Sequence, residues 1–353
     1  MTRYTPPQRG FVLVVVLALL VVLALLATAT ATSAERVLKA AQDQADQFEA
    51  ELDQISTRET LLLLLATQRQ TVAGLTIDEA DAKATTDFPL DDPDGLTALP
   101  VGNEIRLDGT SYSGIGNANF ALQDDRGLVS INWAAPVIMH ALFEALGAPA
   151  DKWDSLDAKR LDYQDPDDAH RLNGAEKSHY REKGMVPPTN RTITTPLEAR
   201  RILGWDSLLA NVDDANLLSI ATVTRGSDLN INTAPEAVLN MLPGMTAQNA
   251  RRIVKLRRSS PFLSTYQVQQ TFSISPVLEE GLALFAKPSG NLTLWSKKSG
   301  ARRLLHWTLT PYEVGGPPWR IDYEVILPRG NDTDQAVAGA PATPFFSAQS
   351  SAN

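Results

Sequence analysis

The sequence predicts a mixed α+β fold: one long N-terminal helix packed on a small antiparallel sheet, with a large all-helical domain inserted into that sheet. Three observations carry this expectation. An unbroken apolar run from Phe11 to Ala27 is followed by apolar residues at helical spacing. Segments of alternating polarity stand both before and after the middle of the chain. Between them lies a block of helical periodicity, and an insert explains that order without a long unstructured connection.

The N-terminal helix comes first. No charge occurs between Arg9 and Glu35. At about 1.5 Å per residue, a helix over this stretch comes close to or reaches the roughly 30 Å hydrocarbon core of a bilayer. Arg3 and Arg9 precede the run, so the positive-inside rule keeps the N-terminus in the cytoplasm and sends the remainder outward. A cleaved signal peptide cut near Ala29 to Ala31, a plain transmembrane anchor and a processed anchor all share these features. Val37, Ala41, Phe48, Leu52, Ile55 and Leu62 extend a helical stripe toward Leu65, where a signal peptide would normally break. Gln8-Arg9-Gly10-Phe11 resembles the type IV prepilin leader, and that resemblance implies cleavage at Gly10–Phe11 followed by N-methylation.

The first strands are expected over 104–108 and 119–131, the second with a hairpin turn at Asp124-Asp125-Arg126-Gly127. Residues 71–103 read as loop, with Asp92-Pro93-Asp94-Gly95 as a turn. Helices are expected over 137–146 (ending at Gly147), 206–218, 235–242, 250–258 and 275–285. Strands return over 291–295, 304–310 and 321–327, and the tail from 331 has the composition of a disordered segment. Val129-Ser130-Ile131-Asn132-Trp133-Ala134-Ala135-Pro136 resembles Leu229-Asn230-Ile231-Asn232-Thr233-Ala234-Pro235, and each leads into an apolar helix. Common ancestry and coincidence both account for a match of this length.

Composition removes several function classes. The chain has 353 residues, enough for more than one domain, and no cysteine, which excludes disulfide scaffolds and thiolate chemistry. A net charge of -9 disfavours general affinity for nucleic acid. His140, His170, His179 and His306 lack metalloprotease spacing, and neither a nucleophile elbow nor a Walker loop is present. Gly114-Ile115-Gly116 is too short for a nucleotide-binding loop.

Two motifs stand out. Leu229 to Phe262 resembles a helix-hairpin-helix unit, which in nucleic-acid-binding members presents backbone N–H groups to phosphate. Arg251, Arg252, Lys255, Arg257 and Arg258 would add charge, so a membrane-anchored DNA-binding protein of the competence type is the alternative reading. Against it, Thr246 replaces the second glycine of the hairpin turn, and the chain is acidic. In the second motif, Asp165, Asp167 and Asp168 sit on a proline-containing loop, with Glu176 after Asn173-Gly174-Ala175 and Asp162 before it. Such loops are usually solvated; carboxylate oxygens in irregular geometry also suit calcium.

The leader, the loop around Asp165 to Glu176, the Ile231 to Pro235 segment and the order of elements together resemble the minor pseudopilin K family of the type II secretion system (general secretion pathway protein K). Pilin-like subunits usually carry glutamate five residues after the cleavage site, where this chain has Val15, and the K subfamily characteristically lacks that glutamate. The resemblance implies a leader at 1–10, a transmembrane helix at 11–33, a pilin-like helix with first strands at 34–131, a helical insert at 132–287, C-terminal strands at 288–330 and a disordered tail at 331–353. It implies calcium as cofactor, held by Asp165, Asp167, Asp168, Glu176 and Asp162. It further implies a non-enzymatic subunit of the inner membrane, single-pass with its globular part in the periplasm. Its expected partners are minor pseudopilins I and J, the prepilin peptidase and the inner-membrane assembly platform, and not nucleic acid. Its expected place is the tip of a pseudopilus that exports folded proteins.

Overall fold

The computed structural model describes residues 10–77, 99–272, 281–296, 302–328 and 346. By its contacts the chain divides into two units, Met1–Leu52 and Asp53–Asn353. The leader residues 1–9, the turn at 92–95 and nearly all of the tail lie outside the described residues.

The first unit is occupied by the start of helix α1, Gly10–Thr67. Among the described residues it is the one helix long and apolar enough, by length and composition, to cross a membrane. The large apolar side chains from Phe11 to Leu26 are exposed along it, an arrangement unfavourable in water and favourable in lipid. The hydroxyls of Thr28 and Thr30 donate back to the carbonyls of Ala24 and Leu26, at 2.8 and 3.1 Å, so they need no water.

The second unit begins with the last turns of α1. After the short antiparallel pair β1 (Gln70–Thr71) and β2 (Gly74–Leu75) come β3 (Asp108–Ser113) and β4 (Ala118–Asp124). The next block holds β5 (Val129–Ser130), α2 (Pro136–Ala145), α3 (Trp153–Gln164), α4 (Lys177–Glu182), α5 (Trp205–Leu208), α6 (Asp214–Ile220) and β6 (Ala221–Thr222). A second block follows with β7 (Leu229–Asn230), α7 (Glu236–Asn240), α8 (Ala247–Ser259), α9 (Thr265–Phe272) and β8 (Leu282–Ala283). Strands β9 (Ser289–Ser296), β10 (Arg302–Leu309) and β11 (Trp319–Leu327) close the sheet in the antiparallel order β11-β10-β9-β4-β3. The fold is therefore α+β, with the helical blocks connecting β4 to its sheet neighbour β9.

Period-two alternation gives this sheet one apolar face. Phe120, Leu122, Leu292, Leu294, Leu305 and Trp307 project there and meet Leu61 and Leu65 of α1. Each fully buried side chain of this size contributes roughly 1.5–3 kcal/mol. The β3–β4 turn is clamped to the helix: Ile115 N–H donates to Thr57 Oγ1 at 3.0 Å, and Asn117 N–H to Asp53 Oδ2 at 2.8 Å. A Cβ on Gly114 would collide with Thr57, and one on Gly116 (φ +56°) with the Asp53 carboxylate. The short glycine signal is thus a close approach between backbone and helix.

The internal repeat is a structural one. Asn132 Nδ2 donates to Ile193 O and Val223 O, each at 2.9 Å, and its Oδ1 accepts from Ile193 N–H. Asn232 does the same with Phe262 O, Leu284 O and Phe262 N–H. Arg160 donates to Ile131 O and Arg257 to Ile231 O. In each copy the first strand pairs in parallel with a strand at the block's end, Val129 with Ala221 and Leu229 with Leu282. The insert therefore carries two short parallel strand pairs besides its helices.

Several local expectations need correction. Residues 119–131 do not form a hairpin: β4 stops at Asp124, residues 125–127 make a 3-10 turn, and β5 leaves to pair with β6. Asp124 and Asp125 are buried and fully bonded, where turn propensity assumes solvent. The strand expected at 104–108 lies four residues late, with only Ile105 bridging to Leu75. Residues 206–218 are two helices, because Asp213 caps α6 by accepting from Asn216 N–H. The described end of the helix expected at 275–285 contains strand β8, whose carbonyl at Ala283 accepts from Ile231 N–H. The loop expected at 71–103 opens with the β1–β2 pair.

Candidate functional site

Helix α3 delivers Asp162 to the interior at its last turn, where its side chain is fully buried. A buried carboxylate needs donors, and the following loop supplies them. Ala175 N–H donates to Asp162 Oδ2 at 2.9 Å, Arg171 N–H at 3.1 Å, and the Arg171 guanidinium to Oδ1 at 2.7 Å. A Cβ on Gly174 would collide with Asp162, and Asn173 before it takes the left-handed conformation, φ +65°. The Asn-Gly-Ala-Glu motif thus wraps backbone around one buried carboxylate and sets Glu176 at the head of α4.

Around this point the other acidic residues gather unequally. Asp165 shares the Arg171 guanidinium through Oδ2, while its buried Oδ1 has no partner. Both oxygens of Glu176 are likewise buried and unpartnered, the residue being 4% exposed. Burial, then the charges of Asp162, Asp165, Asp168 and Asp167, push the Glu176 pKa up to about 7. Asp167 and Asp168 are exposed: Asp167 accepts from Ala169 N–H at 2.8 Å, and Asp168 from Asn190 Nδ2 at 3.1 Å. With the side chains so placed, no group of three or more His, Asp or Glu among the described residues is arranged to hold a metal. Arg171 is the cation that neutralises Asp162 and Asp165.

The turn of the helix-hairpin-helix segment and one of its arginines make structural contacts. Gly244 (φ +80°) turns α7 toward α8, and Thr246, in place of a second glycine, caps α8 by accepting from Asn249 N–H at 3.1 Å. Arg257 is buried and donates to Ile231 O, Ala234 O and Asp108. Arg251, Arg252, Lys255 and Arg258 remain on the exposed side. At the other predicted site, Gly10 is the first residue of α1 and Phe11 is exposed.

Four ionisable residues escaped the sequence reading. His306, 2% exposed, places Nε2 at 2.8 Å from Asp125 Oδ2 and Nδ1 at 2.8 Å from Asp322 Oδ2. Burial opposes its charge, but the two carboxylates outweigh burial and hold its pKa up at about 9. Asp125 also accepts from Thr222 and Ser289, and Asp124 from Asn230, Thr233 and the backbone of Lys287. Both nitrogens of His306 are taken by carboxylates, so the cluster joins sheet to insert and presents no general base to a nucleophile. A lone histidine sixteen residues before an aspartate gives no sequence signal for it.

The described residues combine one apolar N-terminal helix, compatible with a single-pass anchor, and an α+β head carrying a helical insert with an internal structural repeat. Residues 229–284 match the family described as Type II secretion system (T2SS), protein K. The match covers the segment from β7 to just past β8 and supports the resemblance to the protein K family there. No curated protein matches the chain. A solved structure, the crystal structure of the GspK-GspI-GspJ complex from the enterotoxigenic Escherichia coli Type 2 Secretion System, contains a similar chain at 13% identity and TM-score 0.44, covering 61% of this chain and 81% of that one.

Proposed function

We propose that the chain is a tip subunit of the type II secretion pseudopilus, assembled with minor pseudopilins I and J and assisting export of folded proteins across the outer membrane. The observation that carries the reading is the protein K segment at 229–284, inside an insert built into the sheet of a head that follows an apolar anchor helix. Prepilin peptidase would cut Gly10–Phe11 on the cytoplasmic side, and the head would face the periplasm beyond the inner-membrane assembly platform. Val15 suits the tip, because a carboxylate in hydrocarbon costs several kcal/mol without a partner and a terminal subunit has no neighbour above to supply one. The test is a mass spectrum of the mature membrane-bound protein: a methylated N-terminal Phe11 supports the reading, and a soluble product starting near Ala31 overturns it.

Calcium belongs to the same proposal. The acidic loop suits it in donor chemistry: all candidate donors are carboxylate oxygens, and three of them, on Glu176 and Asp165, are buried without a partner. Asp162, Asp165, Asp167, Asp168 and Glu176 are the residues that would hold the ion, once Arg171 releases Asp162 and Asp165 and the side chains converge. When bound, calcium supplies positive charge that neutralises the loop. Gly174 and Ala175, which fix Asp162, and the start of α4, which carries Glu176, would set the positions of two of these ligands.

A further inference from the structure

The sheet face turned away from α1 is only partly covered. Leu218 of α6 packs on Leu304 and Leu327, and beside that contact lies a cleft of about 960 Å3. Strands β3, β4, β9 and β10 form one side, and α6 with the end of α8 forms the other. Two of its buried donors have no acceptor. Trp295 is 7% exposed, and its indole Nε1–H has no partner; Arg302 Nε is buried and unpartnered as well. Across the cleft, Arg258 makes no ion pair among the described residues. The single carboxylate among the described lining residues, Asp108, is already bonded by Arg106, Arg257 and Thr110.

Buried donors left without acceptors cost free energy, and a guanidinium is best satisfied by a carboxylate. The cleft is of ligand-binding size. Its cationic donors stand on separate elements, Arg302 on the sheet and Arg258 on the insert, so an extended occupant bearing several carboxylates satisfies both. Thr110, Gln123 and Thr293 between them offer polar partners for its main chain. In a protein of net charge -9, Arg302 and Arg258 on facing walls mark this cleft as a place where an acidic partner is favoured. We propose that this cleft binds an acidic peptide segment of a partner protein. The inference goes beyond the secretion reading and stands independently of it.

The test uses the full chain in detergent micelles and a dye-labelled, end-blocked hexapeptide, Ala-Glu-Ser-Glu-Ala-Glu, followed by fluorescence polarisation at low salt. Saturable binding is expected, with no binding of the same peptide carrying Gln for Glu. The double variant Arg258→Glu/Arg302→Glu, with unchanged circular dichroism, should weaken binding at least tenfold. Trp295→Phe keeps the aromatic bulk but removes the N–H, and should weaken it several-fold. Absence of binding, equal binding of the Gln peptide, an unaffected double variant, or displacement by equimolar citrate would each overturn the proposal, the last by revealing a site for free anions.

Discussion

His306 of β10 and Asp125 at the start of the insert meet through Nε2 and Oδ2 at 2.8 Å, with both side chains buried. Removing one partner of such a pair leaves a buried charge unmatched, which costs about 3–5 kcal/mol. His306→Gln should therefore lower the denaturation midpoint of the head clearly, with little change in secondary structure. The folded pKa of about 9 lies above the unfolded value near 6.5, so the histidine contribution is complete below pH 6.5 and is lost as pH rises toward 9. Denaturant titrations at pH 6 and pH 9.5 should show wild type losing stability over this window and the variant losing less.

Asn132 and Asn232 occupy equivalent places in the two blocks. Substitution by Ala strands two buried backbone groups and one part-buried carbonyl in either copy, and each buried group costs about 1–3 kcal/mol when unsatisfied. Asn132→Ala and Asn232→Ala should destabilise by similar amounts, at least about 2 kcal/mol each. Unequal losses in chemical denaturation would mean that the repeated geometry does not carry equal weight.

The acidic loop gives a calcium prediction with a pH component. Glu176 binds its proton more tightly folded than unfolded, with a pKa of about 7 against 4.5, so its effect destabilises the ion-free protein increasingly from pH 4.5 to pH 7. Asp165→Asn with Glu176→Gln should raise ion-free stability at pH 8 and abolish any calcium response. In wild type, calcium at a hundredfold excess over Kd should add about 2.7 kcal/mol, and magnesium much less. Melting curves with and without chelator measure both, and an unchanged calcium response in the double variant would remove these residues as ligands.

Processing gives a cleaner readout. Gly10→Val should leave unprocessed precursor in the inner membrane, seen as a heavier band by immunoblot, and secretion should stop. Normal cleavage in this variant would contradict the assigned site.

The exposed side of α8 provides the control against nucleic acid. With Arg257 already committed to Ile231 O and Ala234 O, the full chain in detergent should show no salt-sensitive duplex binding at physiological ionic strength. Micromolar binding that disappears in Arg251→Glu/Arg252→Glu would reinstate the competence reading.

Elements with strong periodicity were legible in advance: α1, the β9 to β11 strands and the helices around Val137 and Ala250 all follow from side chains at regular spacing. Helix α3 was not, because its buried face includes Asp157, Arg160 and Asp162, polar residues that hide the apolar pattern until their partners are known. The same holds at Asp124 and Asp125, where two aspartates outside a folded context signal a turn. At the acidic loop, residue types announced the cluster, but the contest between Arg171 and a bound ion depends on packing that spacing does not encode.

The pairing of Asp124 with Gly290 sets the insert's two ends on one rung of the sheet. Geometrically, the entire double repeat is the loop of a hairpin between β4 and β9. Closing a flexible loop of that length would cost only about 0.6 kcal/mol more per doubling, and a folded block whose ends already lie together lowers even that cost. A lineage could thus enlarge or exchange this block without disturbing the strand order beneath it, so long as its contacts with the sheet, Leu218 on Leu304 and Arg257 on Asp108, were kept.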